Sequence, residues 1–296
     1  MKKHPAFKKI GLPRLLIVGC GDVGMRLLPL VRERFRVFAV TSNAERCALL
    51  RAAGAVPIVA DLDRPASLAR LARLAHIIVH LAPPQAEGET DRRSRNLAAI
   101  LPDHATLVYI STTGVYGDCH GAEFDETRPV APGNPRAKRR VDAERVLRGW
   151  ARRSGSRLAI LRAPGIYAAQ RLPLERLRKG TPALAASEDV FTNHIHADDL
   201  ARLAATAIFK ARPLRIYHAV DDTKLTMGAY FDAVADAFAL PRPPRLPRAE
   251  LQQQVAPQLW SFMSESRRLR NTRIKEELGL RLRYTDVAAF LQGLKG

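Results

Sequence analysis

The chain has 296 residues, 47% of them hydrophobic and 26% charged, enough to bury a sizeable core as one large domain or two unequal ones. No apolar run approaches the ~20 residues that span a bilayer, so the composition argues against a helical membrane protein. The net charge of +19 comes from arginines spread along the chain, without interleaved aromatics or a helix-turn-helix pattern. That distribution argues for a solvated basic surface that attracts phosphorylated ligands, and against a nucleic-acid binder.

Residues 1–9 are basic, carry no apolar signal core or small-residue cleavage site, and read as a short tail on a cytoplasmic protein. The three cysteines, Cys20, Cys47 and Cys119, are odd in number and scattered. They have no metal-ligand spacing and suit a reducing compartment. No metal site is expected.

The first element is a buried strand, Leu15 to Val18, running straight into Gly19-Cys20-Gly21-Asp22-Val23-Gly24 and then an amphipathic helix (Val23, Leu27, Leu28, Leu30, Val31). Strand, Gly-x-Gly-x-x-Gly and helix in that order is the context of a dinucleotide-binding turn. The first glycine allows a tight turn, the second lets backbone approach a pyrophosphate, and the third lets helix pack on strand. The helix N-terminus offers N–H groups and partial positive charge to the phosphates.

Arg36 to Thr41 is the second strand, and its end bears on the choice of nicotinamide cofactor. An acidic residue there would bond a ribose 2′-OH and repel a 2′-phosphate. Thr41, Ser42 and Asn43, with Arg46 close behind, favour NADP over NAD, although Glu45 keeps NAD open. Ala44 to Ala53 reads as a helix stopped by Gly54, and Val56 to Ala60 as the third strand. Asp61 and Leu62 at its end are candidates for the adenine edge, with helix capping by Asp61 or Asp63 the alternative. Leu68 to Leu74 reads as helix. His76 to Ala82 is the fourth strand, leading through Leu81 and Ala82 to Pro83 beside the cofactor, with His80 read as a core histidine.

Thr90 to Leu101 reads as a helix and Thr106 to Ile110 as the fifth strand, ending in Ser111-Thr112-Thr113-Gly114-Val115-Tyr116-Gly117. Strands alternating with helices predict an α/β fold, a doubly wound parallel sheet. Three hydroxyl residues followed by x-Val-Tyr-Gly at this place resembles the extended short-chain dehydrogenase/reductases, the NAD-dependent epimerase/dehydratase family. Three later segments agree: the acidic-then-proline loop from Phe124 to Pro132, the strand and turn from Ile160 to Tyr167, and the His-x-x-Asp segment from Asn193 to Leu200.

The resemblance implies an NAD(P)-binding Rossmann fold over residues 12–168 with 190–222, and a small substrate cap over 169–189 with 223–296. It places Ser111, Pro164 and Ile166 beside the cofactor and gives Thr112 the role of orienting a substrate oxygen, with Ser111 and Thr113 as substitutes. The family's Tyr-x-x-x-Lys pair is missing, because none of the six tyrosines has lysine four residues later. Counting back from Glu144 puts Arg140 at the lysine position and Arg136 at the tyrosine position; the register Asn134 to Lys138 restores only the lysine. Arginine can hold ribose or phosphate but cannot act as a base.

Tyr116 and Tyr167 are the replacement candidates, with packing at a strand end and a satisfied hydroxyl the alternative for each, and Asp125 or Glu126 could serve as carboxylate bases. His196 and Asp199 read better as anchors of the returning helix. In the distal third, Leu174 to Arg178, Asp198 to Phe209, Met227 to Phe238, Ala249 to Val255, Asn271 to Leu278 and Thr285 to Leu294 read as helices, and Arg215 to Val220 as a strand. Arg171, Arg178, Arg267 and Arg268 are candidate contacts for an anionic group. The expectation is an atypical reductase, epimerase or dehydratase acting on a hydroxylated, sugar-like or anionic small molecule. A non-catalytic NADP sensor of the same fold is the alternative. The only protein partner envisaged is a second copy in a homodimer.

Overall fold

A computed structural model describes residues 11–294; the basic stretch 1–9 lies outside them. The centre is a seven-stranded sheet of β1 (Arg14–Val18), β2 (Arg36–Thr41), β3 (Val56–Val59), β4 (Ile77–His80), β5 (Thr106–Thr112), β6 (Arg157–Ala163) and β7 (Arg215–His218). The spatial order is β7-β6-β5-β4-β1-β2-β3, and every pairing is parallel. The order reverses between β1 and β4, which opens a crevice at the carboxyl ends of those two strands.

Period-2 alternation distributes the strand side chains to two cores. Leu15 and Ile17 face one side with Leu27 and Leu28 of α1 (Asp22–Val31). Leu16 and Val18 face the other. There they meet Leu97 of α3 (Arg92–Ala98) and Leu147 and Trp150 of α4 (Pro135–Arg153); α2 (Cys47–Ala52) follows β2. Burial on both faces is why these strands read as unbroken apolar runs.

Two elements depart from expectation. The segment expected as a helix from Leu68 is a tight 3-10 turn over Pro65–Leu71, where the Ser67 hydroxyl donates to the Asp61 and Arg64 carbonyls. The run from Ile160 to Tyr167 breaks at Pro164, which lacks an N–H for the ladder. Gly165–Tyr167 then forms its own parallel pair with His194–His196.

The distal helices are α5 (Leu174–Arg178), α6 (Ala197–Lys210), α7 (Met227–Ala237), α8 (Arg248–Gln254), α9 (Pro257–Met263), α10 (Thr272–Glu276) and α11 (Val287–Gly293). Helix α6 packs on α1. Leu172, Leu177, Phe231, Val234 and Phe290 form a separate small core over the carboxyl end of the sheet. Ile274, Leu278 and Leu280, expected in the cap, instead pack into the α1/α6 core. The buried Asp199 carboxylate fixes that return by accepting the Arg283 and Tyr284 N–H groups.

Helix α4 is tied to the sheet by one buried carboxylate. Glu144 accepts from Ser111 Oγ at 2.7 Å and from Arg162 Nε and Nη2 at 3.0 and 2.6 Å. Removing the carboxylate strands a buried guanidinium, so Glu144→Ala is expected to lower the unfolding free energy by about 3–5 kcal/mol. Urea unfolding checks this; a loss below about 1 kcal/mol, the scale of an exposed pair, would contradict a buried tie.

Candidate functional site

Three adjoining cavities follow the carboxyl ends of the strands. The first, of about 290 Å³, lies at the β1/β4 crevice. Gly19, Gly21, Thr41, Ser42, Asp61, Leu62, Ala82 and Pro83 line it, joined by Arg46 and Arg93. Gly19 has φ +82°, and a Cβ there would lie 2.6 Å from Ala82 backbone. A Cβ on Gly24 would lie 2.9 Å from Cys20 Sγ, whereas one on Gly21 would meet no protein atom within 4 Å. Gly19 and Gly24 are therefore required by packing, while Gly21 keeps open a space that the protein itself does not fill.

Helix α1 starts at that open side with no side-chain cap on its first N–H groups. Asp22 points elsewhere and is paired with Arg26 and Arg171. That pairing takes Arg171 away from the substrate-contact role expected of it. Asn43 is likewise used locally, its Oδ1 accepting the Glu45 N–H at 2.9 Å. Asp61 caps the Asp63 N–H at 2.9 Å and also lines the cavity. Arg93 is committed to Asp63, whereas Arg46 has no carboxylate partner among the described residues.

The second cavity, of about 140 Å³, is lined by Val23, Leu81, Ser111, Thr112, Pro164 and Ile166, with Arg136 and Arg140. Arg140 donates to the Tyr109 hydroxyl at 3.0 Å and the Ile110 carbonyl at 3.1 Å, which fixes it at the cavity base. Ser111 is held by Glu144. Thr112 Oγ1 accepts the Gly114 N–H at 3.2 Å, leaving its own O–H free to donate.

Thr112 and Arg136 also border the third cavity, of about 210 Å³, between the sheet and the cap. Its far wall comes from Thr192, Asn193 and His194, from Met227 and Tyr230, and from Ser261, Phe262, Glu265 and Arg267. Of the arginines expected here, Arg267 borders the cavity but is bound to Glu265 and the Gly117 carbonyl. Arg268 donates instead to the Gly121 carbonyl, and Arg178 sits exposed at the end of α5.

Tyr116 does not reach these cavities. Its hydroxyl is 2.6 Å from His218 Nε2 in a buried cluster with Phe124, and burial pushes its ionisation up to about 12. The tight turn from Thr113 to Tyr116 points the ring into the core, which corrects the expectation of a reaction-centre tyrosine. Tyr167 borders the third cavity, but its hydroxyl is buried beside Asp221, whose carboxyl burial raises to about 7. Glu126 is buried against Arg273 and the His218 N–H. Asp125 caps Thr127 at the surface. His196 caps α6 through the Asp198 N–H.

Sequence reasoning missed the wall contributed by α9. Pro257 at its first position was a usable start signal, but nothing local showed that Phe262 meets Arg136 across the cleft at 4.5 Å.

Comparison with known proteins bears on the family and the fold. The model of the NAD dependent epimerase/dehydratase family matches residues 15–219. The chain belongs to that family. A solved conserved protein from Silicibacter pomeroyi is 28% identical, with a TM-score of 0.76 over 96% of this chain and 98% of that one. A Methylobacillus flagellatus structure described as an NAD-dependent epimerase/dehydratase is 25% identical, with a TM-score of 0.69 over 97% and 100%. Mouse dTDP-D-glucose 4,6-dehydratase is 27% identical over 120 residues, 38% of this chain and 34% of that protein. The match thus spans about a third of the length of such curated relatives.

His80, His194 and His218 are buried near the site, and burial holds the ionisation of each down to about 3. In the unfolded chain they titrate near ~6.5. Protons therefore bind the unfolded state preferentially, and stability is lost as pH falls from about 6.5 toward 3. His218→Gln is expected to shrink the stability difference between pH 7 and pH 5 by about 2 kcal/mol. Chemical unfolding at the two pH values measures this, and an unchanged difference would refute it.

Proposed function

We propose that this chain binds NADP(H) across the first two cavities and carries out nicotinamide-dependent chemistry on a hydroxylated small molecule in the third. The observation that carries the reading is the open space at Gly21 in the first cavity, with the second lined by the nearby Val23 and Leu81 and sharing Thr112 and Arg136 with the third. The residues fit the cofactor. The uncapped start of α1 suits a pyrophosphate, and Arg46, without a carboxylate partner, suits a 2′-phosphate.

When bound, nicotinamide would supply a hydride acceptor or donor. Thr112 donates to and orients the substrate oxygen, and Arg140, held by Tyr109 and Ile110, presents a fixed positive charge at the floor of the cleft. Neither Arg136 nor Arg140 can take a proton at working pH. That observation favours a second reading, a cofactor-reporting protein without turnover. The free cysteines Cys20, Cys47 and Cys119 support a reducing, cytoplasmic setting.

Fluorescence titration with NADPH and NADH, followed by nicotinamide oxidation with a panel of hydroxy and carbonyl compounds, separates the readings. Absence of cofactor binding defeats both, and binding without oxidation favours the second. Gly21→Ala is expected to keep wild-type stability while weakening NADPH binding about ten-fold or more, because the added methyl meets only ligand. Arg46→Ala should weaken NADPH about ten-fold and leave NADH unchanged. An equal effect on both cofactors would remove the NADP preference.

A further inference from the structure

The start of α4 is unusual in its charge. Its first turn contains no acidic residue, and Arg136, Lys138, Arg139 and Arg140 crowd the positive end of the helix. Cations there oppose the helix dipole. Three of the four are compensated: Lys138 by Glu89, Arg139 by the Gly88 carbonyl, and Arg140 by Tyr109 and the Ile110 carbonyl. Arg136 has no carboxylate partner and no hydrogen bond among the described residues, only the face of Phe262. The residue is exposed at the mouth of the cleft, where partial desolvation, then Arg140 and Arg139, lower its ionisation and Glu265 opposes them.

That guanidinium, influenced by Glu265 through space but with no ion pair among the described residues, borders both the second and third cavities, at the same place as Thr112. The other cation on the third cavity, Arg267, is neutralised by Glu265. His194, only 4% exposed and with Nδ1 unpartnered, borders the same space and lies against Gly165 on its wall. Helix α9 closes the far side through Ser261 and Phe262 and leaves about 210 Å³. That is smaller than the roughly 300–1,000 Å³ of drug-sized ligand sites, and a nucleoside diphosphate sugar exceeds it.

We propose that Arg136 anchors a compact anionic substrate, a hydroxy or keto compound bearing one carboxylate or phosphate, and that this cavity does not take a nucleoside diphosphate sugar. The inference rests on the third cavity being the substrate site of the proposed function. Guanidinium holds either anion by paired charged hydrogen bonds, and leaves the hydroxyl or carbonyl beside Thr112.

Calorimetry on the full chain, with and without NADPH, tests this with inorganic phosphate, glycolate and UDP-glucose as probes. Phosphate or glycolate should bind the wild-type chain, and Arg136→Gln should weaken that binding about ten-fold or more. Arg136→Lys should restore part of it, and the exposed Arg178→Gln should change nothing. NADPH affinity should stay the same in Arg178→Gln, and UDP-glucose should give no heat with any variant. Small anions that bind Arg136→Gln as well as wild type, no anion binding to a folded wild type, or UDP-glucose binding more tightly than either anion would each overturn the proposal. NADPH failing to bind defeats the cofactor reading separately, while the titrations without cofactor still decide the role of Arg136. Should Arg136→Gln not fold, Arg136→Lys carries the same comparison, and unchanged affinity there, with unchanged salt dependence, counts against the anchor.

Discussion

The arrangement of the cleft depends on one buried carboxylate. Glu144 on α4 accepts hydrogen bonds from Ser111 at the end of β5 and from the Nε and Nη2 of Arg162 on β6. Taking these charges out of water costs several kcal/mol, which their geometry must offset. In return the pair fixes the rotation and height of α4 relative to two adjacent strands. Arg136 and Arg140 sit two turns and one turn before Glu144 on the same face, so the tie also fixes where those cations meet the cleft. Thr112, next to Ser111, is set by the same constraint.

The glycine turn shows the complementary principle, space kept empty. Gly19 and Gly24 are pressed against Ala82 and Cys20, while Gly21 faces nothing within 4 Å. Packing alone accounts for the outer two and leaves the middle one without a contact that requires it. The cap applies the same division of labour. Asn193 ties the segment after it to the cap by accepting the Leu269 N–H and donating to the Arg267 carbonyl, and Arg267 in turn holds Glu265 and the Gly117 carbonyl. With these side chains engaged in holding the walls, Thr112 and Arg136 remain free to meet a substrate.

Legibility followed how local each signal was. The β1-turn-α1 unit, the alternation of strands and helices and the hydroxyl run after β5 are short-range patterns, and the structure places them close to the expected residues. The run of Ile160 to Tyr167, expected as a strand and a turn, divides at Pro164, and the part expected as a turn pairs as a short strand with the later segment His194–His196. Tyr116 looked like a reaction-centre residue because its segment, at the end of the fifth strand, was expected near the cleft. The 3-10 turn from Thr113 rotates it into the core, where its hydroxyl meets His218 from 102 residues away.

The sequence by itself determined the dinucleotide turn, the doubly wound sheet, and the absence of a Tyr-x-x-x-Lys pair, because each is a matter of residue type at fixed spacing. Tertiary structure decided which charges remain free. Arginines are abundant throughout this chain, and no spacing rule distinguishes Arg46 and Arg136 from Arg93, Arg140 and Arg267. That distinction arises only when distant residues such as Asp63, Tyr109 and Gly117 are brought within hydrogen-bonding distance of some arginines and not of others. Hydrogen bonding and charge neutralisation fall steeply with distance, so they are settled by the folded contacts and not by composition.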